Sequence, residues 1–88
     1  MAERTVDVPD GVGLHARPAA MFVQAVTAAG VPVTVGRPGG EPVDARSILA
    51  VLSLDVRGGE QVVLLTDGDA AVLRDLERVI RAPGGAGG

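Results

Sequence analysis

Two strand-like segments joined by a glycine-rich turn constrain the fold more than any other feature of this sequence. Apolar residues alternate over residues 31–35 (VPVTV), and residues 41–45 (EPVDA) form a short return segment. The intervening GRPGG has the turn residues of a β-hairpin. Because helical patterns flank this hairpin on both sides, it predicts a largely antiparallel sheet combined with helices.

Two further segments have strand patterns. In residues 4–8 (RTVDV) the valines Val6 and Val8 alternate with polar residues, which is typical of a half-buried strand. Residues 60–66 (EQVVLLT) form an apolar run of the length expected for a buried strand. With the hairpin, these segments make four strands.

Three segments have the apolar spacing of helices, and they are residues 16–28, 48–54 and 70–81. Gly30 is a natural end for the first helix, Ser47 a preferred N-cap for the second, and Pro83 a stop for the third. The order β-α-β-β-α-β-α predicts an α+β fold of the split βαβ type, with helices packed on one face of the sheet.

Length and composition exclude several classes of protein. At 88 residues the chain has room for one domain, which we assign to residues 1–82, followed by a flexible glycine-rich tail at residues 83–88. It has no cysteine, which excludes disulfides, thiol catalysis and thiolate metal sites. The N-terminal MAERTVDVPDG has no apolar run like that of a signal peptide, and no stretch has the length of a membrane span. We therefore expect a cytoplasmic protein without membrane insertion.

Charge argues against nucleic acid as a partner. The formal net charge is −3, and all eight basic residues are arginines scattered along the chain. Neither tryptophan nor tyrosine is present to stack on bases.

The stretch GLHARPAA places the only histidine, His15, just before the first predicted helix. Unpaired backbone amides at a helix start, here those of Ala16 and Arg17, favour an anion such as phosphate. The same field disfavours a cationic imidazole and keeps His15 nucleophilic near neutral pH. The Arg17 guanidinium matches phosphate oxygens, and Pro18 is tolerated in a first helical turn.

The sequence lacks the other groups that hydrolysis of a phosphoryl group requires. It has no GxxxxGK[ST] loop, no second histidine and no carboxylate pair with the spacing of a metal site. We therefore expect neither metal nor cofactor, and the residues favour a carrier of phosphoryl groups over a phosphatase or kinase. The alternative is that His15 is a capping or surface residue.

GLHARPAA, the later DARSILAVLSL and the DGD before the last helix resemble HPr, the histidine-containing phosphocarrier family of the phosphoenolpyruvate-dependent sugar phosphotransferase system. The resemblance implies that Enzyme I phosphorylates His15 and that His15 passes the group to an Enzyme IIA. It implies that Arg17 steadies the phosphoryl group and that the protein is not itself an enzyme. It also implies a four-stranded antiparallel sheet with three helices on one face, an open-faced sandwich.

The same resemblance implies further contacts. Ser47 aligns with a serine that HPr kinase/phosphorylase modifies in many Gram-positive bacteria, although a serine here is also explained as a helix cap. Helical periodicity suggests that four apolar residues flank His15 as a docking surface, unless they belong to the core; they are Ala20, Met21, Leu49 and Leu52. Because a relay needs this surface free, we expect a monomer.

Two departures from the family pattern concern partners and helix geometry. The first two helices carry no lysine where many relatives have several, so electrostatic steering toward an acidic partner is expected to be weak. Asp55 stands where a glycine usually follows "SL", which affects how the second helix ends. A carrier in another relay, nitrogen-linked or of the dihydroxyacetone kinase type, and a non-catalytic regulatory module both remain alternatives.

Overall fold

The computed structural model describes residues 1–11, 13–14 and 16–81. The predicted element order is confirmed, and the elements are β1 (Ala2–Asp7), α1 (Ala16–Ala29), β2 (Val33–Gly36), β3 (Val43–Asp44), α2 (Ile48–Ser53), β4 (Gln61–Thr66) and α3 (Ala70–Arg81). Pro83 and the predicted tail at 83–88 lie outside the described residues.

The four strands form one sheet in the order β1-β4-β2-β3, and every neighbouring pair is antiparallel. β4 therefore lies in the middle of the sheet, with Val62 paired to Val6 of β1 and Leu64 paired to Val35 of β2. The three helices cover one face. The predicted α+β open-faced sandwich is thus confirmed.

Several element ends differ from the sequence prediction by one or two residues. β1 begins at Ala2 and ends at Asp7, although Val8 continues the pairing through backbone hydrogen bonds with Glu60 and Gly59. β2 begins only at Val33, because Pro32 has no N–H to donate to a neighbouring strand. All seven predicted elements are present, and the structure differs from the prediction only in where some of them begin or end.

The hairpin between β2 and β3 is shorter than predicted but has the expected turn. β3 has only two residues, which pair with Thr34 and Val35. The Gly40 N–H donates to the Arg37 carbonyl at 2.8 Å, and Gly39 has φ +75°. A proline followed by a left-handed glycine is typical of a type II turn, which explains the sequence RPGG.

The core lies between the sheet and the helices and is almost entirely aliphatic. Sixteen buried apolar side chains from the described residues form it, including one aromatic, Phe22, whose relative exposure is 0%. α3 contributes Leu73, Leu76 and Ile80, which share one stripe as the sequence predicts. α2 buries only Val51 among its six residues. No helix within the described ranges is long and apolar enough to cross a membrane.

The residue after the end of α2 is an aspartate in a left-handed backbone conformation. Leu54 caps the helix, and Asp55 adopts φ +50°, a left-handed conformation that glycine takes freely and that other residues, apart from asparagine and aspartate, rarely take. Its N–H donates to the Leu52 carbonyl at 3.1 Å, so the helix end closes in the ordinary way.

We expect Asp55→Gly to stabilise the protein by roughly 0.5–1 kcal/mol, because glycine takes a left-handed conformation without steric cost. The carboxylate lost in this variant forms only an exposed ion pair with Arg57 at 3.2 Å, which contributes little. Urea unfolding followed by circular dichroism measures the change. Asp67→Gly is the matched control, at an exposed position without a positive φ. It should lower stability, and an equal loss in both variants would contradict the prediction.

Candidate functional site

The loop that leads into α1 is held by its backbone. Gly11 and Gly13 have φ +80° and +69°, in the left-handed region that favours glycine. Leu14 is buried, and its N–H donates to the Val56 carbonyl at 2.8 Å. His15, the predicted phosphoryl acceptor, lies outside the described residues. The structure thus defines the residues on both sides of it, and Leu14 is anchored directly before it.

α1 begins at Ala16, as predicted, so the backbone amides of Ala16 and Arg17 belong to its first turn and have no partner within the helix. Pro18 also lies in this turn, where its missing N–H costs the helix nothing. Ala19, Phe22 and Val26 face the core. The burial of these three residues fixes the rotation of α1 about its axis and therefore which side of its first turn faces solvent.

The Arg17 side chain is exposed. The first turn of α1 contains no acidic residue. Within the described part of the chain, no carboxylate lies within 4.0 Å of its guanidinium. The Arg17 side chain therefore offers its N–H groups to solvent or to an incoming anion.

Ser47 is the N-cap of α2, which confirms that prediction. Its Oγ accepts a hydrogen bond from the Ala50 N–H at 3.2 Å, and its carbonyl accepts one from the Val51 N–H at 3.0 Å. Asp44 braces the preceding turn, because its carboxylate accepts the Arg46 N–H at 2.9 Å. That hydrogen bond lowers the pKa of Asp44 below its ordinary value. The short helix is thus fixed at its start by side chains on the turn before it.

The apolar residues predicted to flank the site differ in exposure. Leu49 is 77% exposed and Leu52 37%, whereas Ala20 and Met21 on α1 are half-buried. α1 and α2 are in contact, so these residues lie on neighbouring helices.

Ile48, at 36% exposure, belongs to the same surface and was missed by the sequence analysis. Helical spacing carries the signal, since Ile48 lies four residues before Leu52 and Leu49 lies three before it. We call Ile48, Leu49 and Leu52 the apolar face of α2.

The described residues contain no group of three histidine, aspartate or glutamate side chains positioned to hold a metal ion. Charged residues near α2 are instead paired with one another. Arg46 lies 3.5 Å from Asp44, and Arg57 lies 3.2 Å from Asp55. Both pairs are exposed, so they leave the apolar face of α2 without a strong fixed charge of either sign.

Residues 2–82 match a family model described as "PTS HPr component phosphorylation site". The chain belongs to the HPr family. It is 56% identical over 71 residues to the phosphocarrier protein HPr of Streptomyces coelicolor, covering 81% of this chain and 76% of that protein.

Solved HPr structures have the same fold. HPr-C-His from Thermoanaerobacter tengcongensis is 33% identical, with a TM-score of 0.83 over 100% of this chain and 98% of the other. A structure described as an HPr dimer from the same organism is 38% identical, with a TM-score of 0.59 over 86% and 92%. The phosphocarrier family suggested by GLHARPAA is therefore confirmed, and so is its architecture.

Compared with the HPr pattern expected from sequence, the first two helices lack basic residues other than Arg17. Gln24 and Thr27 are exposed on α1, and Ala50 is half-buried on α2. Neither helix has a basic residue in its last turn. Within this HPr-family chain, Arg17 is thus the single cation on the two helices that neighbour the site.

Proposed function

We propose that this HPr-family chain carries a phosphoryl group on His15 from phosphorylated Enzyme I to an Enzyme IIA. An imidazole nitrogen of His15 attacks phosphorus, and the bond from phosphorus to the donor breaks as the new phosphorus–nitrogen bond forms. The second transfer repeats this displacement with Enzyme IIA as acceptor. The protein is then a covalent intermediate between enzymes and not an enzyme. The match of residues 2–82 to the family's phosphorylation-site model carries this proposal.

The chemistry at the start of α1 supports a carrier that does not hydrolyse its cargo. The amides of Ala16 and Arg17 and the Arg17 guanidinium supply donors for phosphoryl oxygens. The chain has no second histidine to activate water. A phosphoryl group on His15 would accordingly persist until a partner removes it.

The direct test is to incubate the protein with Enzyme I and phosphoenolpyruvate and to measure its mass. We expect one added phosphoryl group that is labile in acid and stable in alkali, and phosphopeptide mapping should place it on the peptide containing His15. A chain that stays unmodified with its cognate Enzyme I contradicts the proposal. Transfer to purified Enzyme IIA, compared with acceptors of nitrogen-linked and dihydroxyacetone kinase relays, identifies the branch.

We expect Arg17→Ala to slow phosphoryl transfer by about 10–100-fold, because hydrogen bonds from a charged donor contribute ~1.5–3 kcal/mol each. The fold should be retained, since the Arg17 side chain is exposed. Rapid-quench kinetics with Enzyme I and Enzyme IIA measure both directions. Arg74→Ala, an exposed arginine on α3, is the control and should transfer at the wild-type rate. Equal rates for Arg17→Ala and wild type would remove Arg17 from the site.

We further propose that partners dock on the apolar face of α2 together with Ala20 and Met21. The exposure of Leu49 supports this, because a large apolar side chain that is 77% exposed gains most from being covered by another protein. Since α1 and α2 carry no lysine, association should depend weakly on ionic strength. Titration of Enzyme I with Leu49→Ser measures the contribution of this face.

Ser47 is proposed as a regulatory site for HPr kinase/phosphorylase. A phosphate on its hydroxyl adds up to about two negative charges beside Ile48 and Leu49. Docking of an apolar partner would then require desolvation of that charge. Incubation with the kinase and ATP should give an acid-stable phosphoserine that Ser47→Ala lacks. Absence of labelling in the wild type would leave Ser47 with its role as a cap only.

We propose a cytoplasmic monomer, because successive partners need access to the same surface. Light scattering coupled to gel filtration should give the mass of one chain, 8.8 kDa. The solved HPr dimer of similar sequence makes this measurement necessary. A stable dimer that covers the apolar face of α2 would contradict both the monomer and the docking surface.

A further inference from the structure

Arg37, in the turn after β2, is bonded more extensively than any other arginine side chain among the described residues. Its Nε donates to the Leu54 carbonyl at 2.9 Å, and its Nη2 donates to the Asp55 carbonyl at 2.6 Å. Nη1 and Nη2 also donate to the two carboxylate oxygens of Glu60, at 2.9 and 3.2 Å. One planar guanidinium therefore joins the end of α2 to the residue before β4.

The pairing between Arg37 and Glu60 keeps both groups charged. The hydrogen bonds that Arg37 donates to the Glu60 carboxylate raise the pKa of Arg37 and lower the pKa of Glu60. Glu60 additionally accepts the backbone N–H of Arg57 at 2.8 Å. We call the segment 54–60, held at both ends by Arg37, the clamped segment.

The clamped segment lies directly against the loop that precedes α1. Its Val56 carbonyl accepts the Leu14 N–H at 2.8 Å. At the other end, the backbone carbonyl of Glu60 accepts the Val8 N–H at 2.9 Å, and the Gly59 N–H donates to the Val8 carbonyl at 2.8 Å. The two segments are thus connected near both of their ends.

Between these hydrogen bonds the backbones are in close contact. A Cβ built on Gly58 would lie 2.5 Å from the Gly11 nitrogen and 2.8 Å from the Pro9 carbonyl oxygen, closer than real Cβ atoms come. The Arg57–Glu60 turn closes with a hydrogen bond of 3.1 Å and has Gly59 at φ +88°. A displacement of the clamped segment would therefore be transmitted to residues 9–11 and to Leu14.

We propose that Arg37 is a positioning residue for the loop that precedes α1 and contains His15, the proposed phosphoryl acceptor. It acts by fixing the clamped segment, which in turn fixes Leu14, the residue immediately before His15. The inference rests on the proposed function, since it concerns the loop that would present the acceptor. Arginine suits the role because its rigid fork serves two carbonyls and a carboxylate at once, whereas lysine offers a single point charge.

Hydrogen exchange at Leu14 tests this directly, together with the signal of the only imidazole in the chain. In Arg37→Ala we expect the Leu14 amide to exchange about tenfold faster, which corresponds to ~1.4 kcal/mol of lost local stability. The His15 imidazole resonance should shift, and transfer from Enzyme I should slow. Amides of α3, such as those of Leu76 and Ile80, should change by less than about twofold. Arg37→Lys should restore part of each effect.

Arg57→Ala is the matched control. Arg57 lies within the clamped segment, but its side chain bonds, among the residues that the structure describes, only to Asp55 in an exposed pair, and its bond to Glu60 comes from the backbone. We expect this variant to match the wild type in all three measurements. If Arg37→Ala does not fold, Glu60→Gln, which removes the charge but keeps the shape, takes its place.

The outcomes separate this proposal from the proposed function. Unchanged Leu14 exchange in Arg37→Ala, or equal acceleration of all amides, overturns the positioning role even when the wild type transfers normally. Faster Leu14 exchange in Arg37→Ala, with no phosphoryl uptake by the wild type, overturns the carrier function and keeps the positioning role. Faster exchange with slower transfer supports both.

Discussion

His15→Ala is expected to take up no phosphoryl group from Enzyme I, a loss of at least ~10³-fold in rate, as when a covalent nucleophile is removed. Nothing else in the chain can replace it, because the sequence contains no other histidine and no cysteine. Serine and threonine hydroxyls are weak nucleophiles without a neighbouring base. Mass spectrometry after incubation with Enzyme I and phosphoenolpyruvate measures the loss.

A control measurement must show that His15→Ala is still folded, so that the loss of phosphorylation is due to the missing imidazole. Substitution at one position before α1 should change the free energy of unfolding by no more than about 1 kcal/mol, the cost of a lost cap. Far-UV circular dichroism should be unchanged. Arg17→Ala provides the contrast, since it should be labelled slowly but completely. Equal labelling of His15→Ala and wild type would show that the acceptor is another residue.

Most of the fold follows from periodicity, because each element buries one face against a single core. The stripe of α3 is an example. Leu73, Leu76 and Ile80 occupy the positions that helical spacing assigns to the core, and the helix has the predicted bounds. The predicted hairpin implies an antiparallel pair, because the turn that joins its two strands is too short for the crossover connection that parallel strands need.

Strand ends were less predictable, because pairing decides them and the pairing partners are distant in sequence. Ala2 joins β1 because Thr66 of β4 extends opposite it. β3 ends at Asp44, whose carboxylate accepts a hydrogen bond from the Arg46 N–H in the turn that leads to α2. Neither contact leaves a trace in the apolar pattern of one segment.

The candidate site shows the same division between local and distant signals. The cap at Ser47 depends on residues within one turn of helix, and that prediction is confirmed. The role of His15 as acceptor stays a prediction. Arg37 escaped sequence analysis because its partners lie 17 to 23 positions away, and an arginine in a turn is ordinarily solvated.

Phe22→Ala is expected to cost about 3–5 kcal/mol of stability, the largest loss from any single truncation in this core. Phe22 is the only aromatic residue and is fully buried on α1, so its removal leaves a cavity that valines and alanines fill poorly. For a domain of this size the melting temperature should fall by roughly 15 °C or more. Thermal unfolding followed by far-UV circular dichroism measures it, since the chain lacks the tryptophan and tyrosine needed for fluorescence.

Two variants on the same helix show whether the loss comes from the core. Gln24→Ala is exposed and should change stability by less than about 0.5 kcal/mol. Phe22→Leu keeps an apolar side chain of similar bulk and should cost less than ~1.5 kcal/mol. If Phe22→Ala loses less than about 1 kcal/mol of stability, the core closes around the gap and the prediction is contradicted.

Phe22→Leu also separates packing from chemistry. Phe22 faces the core while Arg17, one and a half turns earlier, faces solvent, so a modest repacking beneath α1 should leave the exposed first turn in place. Below its melting transition Phe22→Leu should therefore accept a phosphoryl group at the wild-type rate. Slow transfer in this folded variant would mean that the core under α1, and not only the clamped segment, sets the geometry of the site.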